Sequence, residues 1–343
     1  MELPKEYFLG NFFDIQNTRK QKFGDCWSNA LVSAIGDIFS IKNNLQPVYF
    51  SAPYVTSMQN DVCRYFIKIG KNEDICNYTL YDGGKIDDMC DYMRIHDIGF
   101  KLESCFPYDE TIKYLLNDGY KKYISQPDKP TINKNDWDKG YNYILENIND
   151  LCPNGCINKK NICKKNLKQK FKLKLTKFLS IKHLQKMNKN DIQEHDIKYI
   201  QNAIKGLILD KKPFLSNISI SQEYIDFFYI SGGEYFSPKR KTKSESNFHL
   251  VVIIGWEIKN GIEYWIIRDT EFQTIPNKFL KIAFSRYDNK NFWHGIDVKW
   301  NGFANNMIHS NTYDVEADYG EHNLDYYIAN GVFKKSHFVH NEL

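Results

Sequence analysis

The chain has 343 residues, 42% hydrophobic and 26% charged, with 46 basic against 42 acidic side chains and a formal net charge of +4. Apolar content on this scale marks a globular protein with a full core in one large domain or two ordinary ones, and lysines scattered without a dominant basic block give no reason to expect nucleic acid as a partner. The start, Met1-Glu-Leu-Pro-Lys-Glu, lacks a basic then apolar leader and no later run is long enough to span a bilayer, so the chain is expected to be neither exported nor membrane-embedded.

The first predicted element in chain order is a helix opening at Cys26. Trp27, Leu31, Ala34, Ile35, Ile38 and Phe39 recur at spacings of three and four, which predicts a helix with one buried face, led in by Gly24 and Asp25. A thiol at the first helical position sees the positive end of the helix dipole, and an imidazolium within reach would pull it further toward thiolate, the reactive form. A free cysteine is also commonly a small buried hydrophobe, and the local pattern leaves both roles open.

Residues 1 to 110 read as helical and compact, whereas 111 to about 195 turn lysine- and asparagine-rich, with Pro127, Pro130, Pro153 and Gly155 breaking any long period. That stretch reads as an insertion or a loop-rich connection. Cys152, Cys156 and Cys163 fall within it at a spacing that makes a poor zinc pattern, so no metal is expected. A helix returns over Asp196 to Leu209, where Ile197, Ile200, Ala203, Ile204, Leu207 and Ile208 share a face and Pro213 ends it. The character then changes to β. Phe214 to Ser221, Leu250 to Trp256 and Tyr264 to Arg268 are rich in branched and aromatic residues, and Lys259-Asn260-Gly261 is a strong turn signal between the last two. From about 301, Asp314, Glu316, Asp318, Glu321 and His322 stand among tyrosines in what reads as a capping or docking extension. Helices early and strands late predict an α+β protein of two packed lobes. The eight cysteines are dilute and no export signal accompanies them, so a reducing compartment is expected and the glycosylation sequons at Asn77 and Asn217 are discounted.

A cysteine nucleophile needs a base to take its proton, and the base needs a group that fixes its tautomer and stabilises its charged form. His249 heads the apolar run His249-Leu-Val-Val-Ile-Ile-Gly255-Trp256, so one polar ring stands at a buried strand, where apolar walls strengthen any ion pair. Asp269 closes the next strand and is placed to receive the second ring nitrogen. In isolation each has an ordinary structural role, a backbone-bonded histidine and a turn-initiating aspartate. A two-residue turn at Asn260-Gly261 would set Asp269 opposite Val252, on the face away from His249. The mechanism therefore requires an odd register shift somewhere between 250 and 268.

At this point the chain resembles the papain family of cysteine peptidases. Leu3-Pro4, Gln21 and Gly24-Asp-Cys26-Trp27 resemble the start of a mature enzyme domain; Phe50-Ser-Ala-Pro-Tyr-Val, Gly83-Gly84 and Glu103-Ser-Cys105-Phe-Pro-Tyr108 are similar to segments that follow it. Tyr224 to Phe236, Phe248-His249-Leu-Val-Val-Ile-Ile-Gly255-Trp256 and Glu263-Tyr-Trp-Ile-Ile-Arg-Asp269 complete the series. The resemblance covers roughly residues 1 to 300. It implies an α+β papain-like fold, with a helical left lobe bearing Cys26, a β-rich right lobe bearing His249 and Asp269, and an active-site cleft between them. It implies hydrolysis of protein or peptide substrates through a thioester on Cys26, with His249 as general base and acid, Asp269 as its orienter, Gln21 at the oxyanion, and Gly83, Gly84 and Phe248 lining the substrate site. It implies no cofactor, no metal, no nucleic acid or membrane partner, and a monomer.

Several positions depart from the family pattern. The oxyanion glutamine normally lies six residues before the cysteine; that position is Lys20, and Gln21 lies five before. Losing one such donor typically costs about 100- to 1000-fold in rate. The usual asparagine is Asp269, and the tryptophan that shields the histidine pair is replaced by Glu271, so that pair is expected to be wetter. Both positions of one expected disulfide, Phe23 and Asp82, are not cysteine. The interval from Cys26 to His249 exceeds the roughly 130–150 residues usual in the family. The excess, about 75 residues or more, places the insertion within about 109–195, inside a 1–300 peptidase domain followed by a 301–343 extension packing on it. The chain opens on a mature-like start, so control by packaging, redox state or the inserted loops is expected in place of a propeptide. An intracellular setting, cytoplasmic or packaged in a virion, follows. The competing expectation from another class is a catalytically inactive papain-fold binding or structural protein, motivated by the altered 269–272 and 20–21 segments. A peptide ligase on the same fold is a third.

Overall fold

The structure is a computed structural model, describing residues 3–17, 21, 24–70, 83–105, 108, 171–180, 194–220, 222–236, 247–270, 279–284, 286–288, 291–293 and 311–338. A short strand β1 (Tyr7–Phe8) precedes the helix α1 (Cys26–Lys42), which starts on the cysteine as the periodicity predicts. The expected single buried face is corrected: every residue from Trp27 to Ile41 is buried. The polar residues can be inside because each finds a partner there. Ser28 Oγ donates to the Asp25 carbonyl and receives the Thr56 hydroxyl, Ser40 Oγ accepts from Val48 N, and Asp37 accepts from Gln16 N. A polar residue at a helical position thus marks a second packed face here rather than water.

Three shorter helices follow α1: α2 (Ala52–Ser57), whose N-cap Ser51 accepts from Tyr54 N at 3.1 Å, then α3 (Gln59–Lys68) and α4 (Ile86–Ile95); α2 and α4 pack on α1, and α3 packs on α2 and α4. Cys63 in α3 is disulfide-bonded, which the expectation of reduced thiols did not foresee. Further on come β2 (Lys172–Ser180) and the helix α5 (Glu194–Leu209), close to the predicted bounds. The chain turns through Lys211, in the left-handed region at φ 63, before Pro213 and strand β3 (Phe214–Ile220).

One turn of helix, α6 (Gln222–Ile225), runs into a π-helical turn at Asp226–Ile230. The strands β4 (Tyr235–Phe236), β5 (Asn247–Lys259), β6 (Ile262–Arg268) and β7 (Leu280–Ala283) follow, then the small hairpin β8 (Arg286–Asp288) and β9 (Asn291–Trp293). Strand β10 (Asn311–Asp318) and helix α7 (Leu324–Ala329) complete the described chain. The main sheet has eight strands in the order β2-β10-β3-β5-β6-β7-β4, with β1 also pairing on β5. Every pair is antiparallel except β4 with β7. Early helices and this late sheet make the α+β class that the pattern predicts.

Two expectations about segments change. The region taken as an insertion contributes β2 and, just before it, Phe171, which is fully buried; the remainder of 109–195 that precedes α5 lies outside the described residues apart from 171–180. The 301–343 tail does more than pack on the outside. β10 lies between β2 and β3, both drawn from the first 300 residues, so residue 300 is not a boundary in the sheet. Among the described residues no helix is long and apolar enough to cross a membrane.

Candidate active site

His249 is the third residue of β5, which begins at Asn247 rather than Leu250, and it pairs across to Ile218 of β3. The β5–β6 hairpin turns at Asn260 and Gly261, with φ of 51° and 75°, the conformation of a two-residue type I′ turn. From Lys259↔Ile262 to Gly255↔Ile266 the register is regular, and then it shifts: Ile253 pairs with Ile267 and Val252 with Arg268. This is the odd shift that the sequence required, a bulge at Ile254. It brings Asp269, which follows β6, back to the side of β5 that carries His249.

The result is a hydrogen-bonded line of side chains. His249 Nε2 lies 2.6 Å from Asp269 Oδ1, both side chains being only 2% exposed. The imidazole also hydrogen-bonds Cys26, and with Nε2 given to Asp269 it is Nδ1 that is left for the thiol. Burial alone would pull the His249 pKa down, but Asp269, and then Cys26, outweigh it and hold it well above its ordinary value of 6.5. Cys26 itself is half-buried at the first position of α1. It is a thiol at a helix N-terminus with the His249 imidazole beside it. Tyr224 of α6 donates its hydroxyl to Asp269 Oδ2, so a donor stands at each carboxylate oxygen.

Gln21 is buried and tied to the residue after Asp269. Its backbone N donates to the Thr270 carbonyl at 2.7 Å, and the Thr270 hydroxyl donates to Gln21 Oε1 at 2.6 Å. The amide orientation is thereby set by its oxygen. Gly83, at φ 102, comes within 3.9 Å of the Gly24 carbonyl measured from where its Cβ would stand, and its own carbonyl accepts from Gln59 Nε2. At Gly84 a Cβ would meet the Trp27 ring at 2.3 Å, so only glycine fits. Both glycines therefore lie against the loop that delivers Cys26. Behind the site, Asp37 on α1 and Arg268, the residue before Asp269, form an ion pair of 2.7 Å with neither side chain exposed. It ties the cysteine's helix to the aspartate's strand.

The sequence profile of the papain family cysteine proteases matches residues 11–273. The chain belongs to that family. Among curated proteins none matches the sequence. Similar solved structures include the Amb a 11 cysteine protease, a major ragweed pollen allergen, in its proform, 15% identical over 91% of this chain and 66% of that one, with a TM-score of 0.50. They also include digestive procathepsin L 3 of Tenebrio molitor larval midgut, at 14%, 91%, 70% and 0.49 by the same measures, and proCathepsin B S9 from Trypanosoma congolense, at 16%, 87%, 79% and 0.48. This papain-family chain thus spans 66% of the length of the ragweed proform, and at such identity the likeness is one of fold.

Of the residues singled out from sequence, Cys26, His249 and Asp269 meet in one hydrogen-bonded line, and Gln21, Gly83 and Gly84 adjoin it. Phe248 is in β5, paired with Ser219, but its side chain lies outside the described residues, as do Lys20, Glu271, Phe23 and Asp82 and the cluster Cys152, Cys156 and Cys163. The expectation of a wetter histidine pair is corrected. His249 and Asp269 are dry, and one physical reason is Tyr224, itself 1% exposed, which stands at the far oxygen of the carboxylate. Tyr224, Thr270 and the Asp37–Arg268 pair were not anticipated as parts of the papain-family site. Tyr224 falls in a stretch that carried the resemblance, but no spacing rule connects a one-turn helix to a strand end 45 residues later. Among the described residues no group of three or more His, Cys, Asp or Glu is arranged to hold a metal.

Proposed function

We propose that this papain-family chain is an active thiol peptidase acting on protein or peptide substrates. In the first half-reaction the Cys26 thiolate forms a bond to the scissile carbonyl carbon, and the carbonyl π pair moves onto oxygen. The Gln21 side-chain amide and backbone N–H groups hold that oxyanion. The carbonyl re-forms as the C–N bond breaks and His249 passes its proton to the departing amine, leaving a thioester on Cys26. In the second half-reaction water gives a proton to His249 while its oxygen bonds to the acyl carbon. The C–S bond then breaks, the acid leaves, and thiolate and imidazolium are restored. Asp269 fixes the ring throughout, and the substrate backbone runs along Gly83 and Gly84 with Phe248 in the same site: Gly83 is open apart from the Gly24 carbonyl at 3.9 Å, while at Gly84 the place of a side chain is taken by the Trp27 ring.

The observation that carries this reading is His249, hydrogen-bonded at once to Cys26 and to a buried carboxylate, with its positive charge favoured. A chain kept only for binding has no need to hold a charged imidazole against a thiol in a dry site. The test is incubation of the purified protein with an epoxide-type thiol-directed peptide inhibitor under reducing conditions, with the adduct located by mass spectrometry. The expected result is one adduct on Cys26 that His249→Ala abolishes. No adduct, or labelling indifferent to His249→Ala, would sink the peptidase and favour the silent binding protein.

A further inference from the structure

The reaction above gives Tyr224 no task, yet its hydroxyl reaches the carboxylate on which the reaction leans. Its ring is clamped. Tyr224 packs edge-on to Phe228 at 4.7 Å and to Phe236 at 5.5 Å between ring centroids, and the residue is 1% exposed. The π-helical turn Asp226–Ile230 that follows brings Phe228 back onto the ring. A buried tyrosine hydroxyl seeks a partner, and here the partner is Asp269 Oδ2.

What this does for Asp269 follows from carboxylate geometry. The terminal torsion of an aspartate is broad, so one hydrogen bond to Oδ1 leaves the group able to swing. Donors at both oxygens fix its plane, and a rigid hydroxyl at Oδ2 keeps Oδ1 pointed at His249 Nε2. Both donors also favour the charged carboxylate, the form that stabilises an imidazolium. We infer that Tyr224 is a positioning residue that holds Asp269 in place for His249, acting on the reaction through the carboxylate and not through substrate. The inference rests on the peptidase reading, because only a working Cys26–His249 pair makes the placement matter.

The substitution is Tyr224→Phe, which keeps the ring and its two aromatic neighbours and removes only the hydroxyl. It is made in the native chain and in an Asp269→Ala background. Steady-state hydrolysis of a peptide substrate and the rate of Cys26 alkylation by iodoacetamide are read in all four proteins, together with their thermal melting. In the native background kcat should fall about tenfold with KM unchanged, the scale of a modest charge-assisted hydrogen bond, and alkylation should slow in parallel. In the Asp269→Ala background Tyr224→Phe should change neither, since the group it acts through is gone. Equal losses in both backgrounds, which a global folding defect would also give, or an effect confined to KM, or no effect in the native chain, would overturn it. The two readings fail separately. If native Cys26 is not labelled by the epoxide, the peptidase falls; if it is labelled and Tyr224→Phe behaves as its parent, only the role of Tyr224 falls.

Discussion

Asp269 carries the decisive charge. A neutral amide at this position could still accept from His249 Nε2, but it would lack the charge that offsets the cost of burying the imidazolium. Asp269→Asn is therefore expected to remain active near neutral pH while the alkaline limb of kcat/KM moves down by about one unit or more, the ordinary effect of removing an opposite charge at contact. The stability consequence has the same sign. The folded His249 pKa lies above its unfolded value, so the pair's contribution is full below about 6.5 and is lost as pH rises through the raised pKa. Denaturant titrations of the two proteins should differ most in mild acid and converge in alkali. A difference that grows with pH would refute the assignment. The Cys26–His249–Asp269 line was legible from sequence because the nucleophile, base and orienter proposed for it are restricted to a few residue types, and the chain sets these at a helix start and two strand ends. Tyr224 was not legible, because a hydroxyl meeting a carboxylate across the fold leaves no local pattern.

Elements aim those residues, and one bulge decides the aim. β5 changes partner at the same point along its other edge: β3 pairs with it up to Ile253, and β1 takes over at Gly255. Gly255 allows this, since a Cβ there would stand 2.3 Å from the Tyr7 carbonyl oxygen and 2.9 Å from Phe8 Cα, both backbone. Gly255→Val should push β1 off the sheet at a cost of about 1–3 kcal/mol, the range for overpacking, and speed hydrogen exchange at residues 7 and 8. Unchanged exchange there would show that β1 does not depend on the glycine. The need for a register shift could be stated from strand parity and turn length alone. Its place at Ile254 could not, because β1 and β3 meet β5 only in the folded sheet.

At the scale of the molecule, the described core draws on residues far apart in the chain. Phe39 of α1 sits in an aromatic cluster with Phe50, Phe171 and Phe333, at centroid distances of 6.2, 5.5 and 5.5 Å, and Phe171 in turn meets Phe333 at 5.0 Å and Tyr327 of α7 at 5.8 Å. The helix that opens on Cys26 is thus buried by residues from the tail and from the stretch read as an insertion. The alternation Tyr313, Val315 inward and Asp314, Glu316 toward solvent was present in the sequence as a strand signature. Set among tyrosines, its acidic residues read as part of a capping or docking extension, and nothing local named β2 as the partner. Phe333, 3% exposed, gives this burial a measurable cost. Phe333→Ala should lower unfolding free energy by about 3–5 kcal/mol, as for other buried phenylalanines, and chemical denaturation followed by fluorescence reads it directly. Cys26 labelling by the epoxide should persist in the fraction that stays folded, because the lost ring packs on Phe39, near the other end of α1 from the thiol. A cost below about 1 kcal/mol would mean that the tail merely covers a core already complete without it.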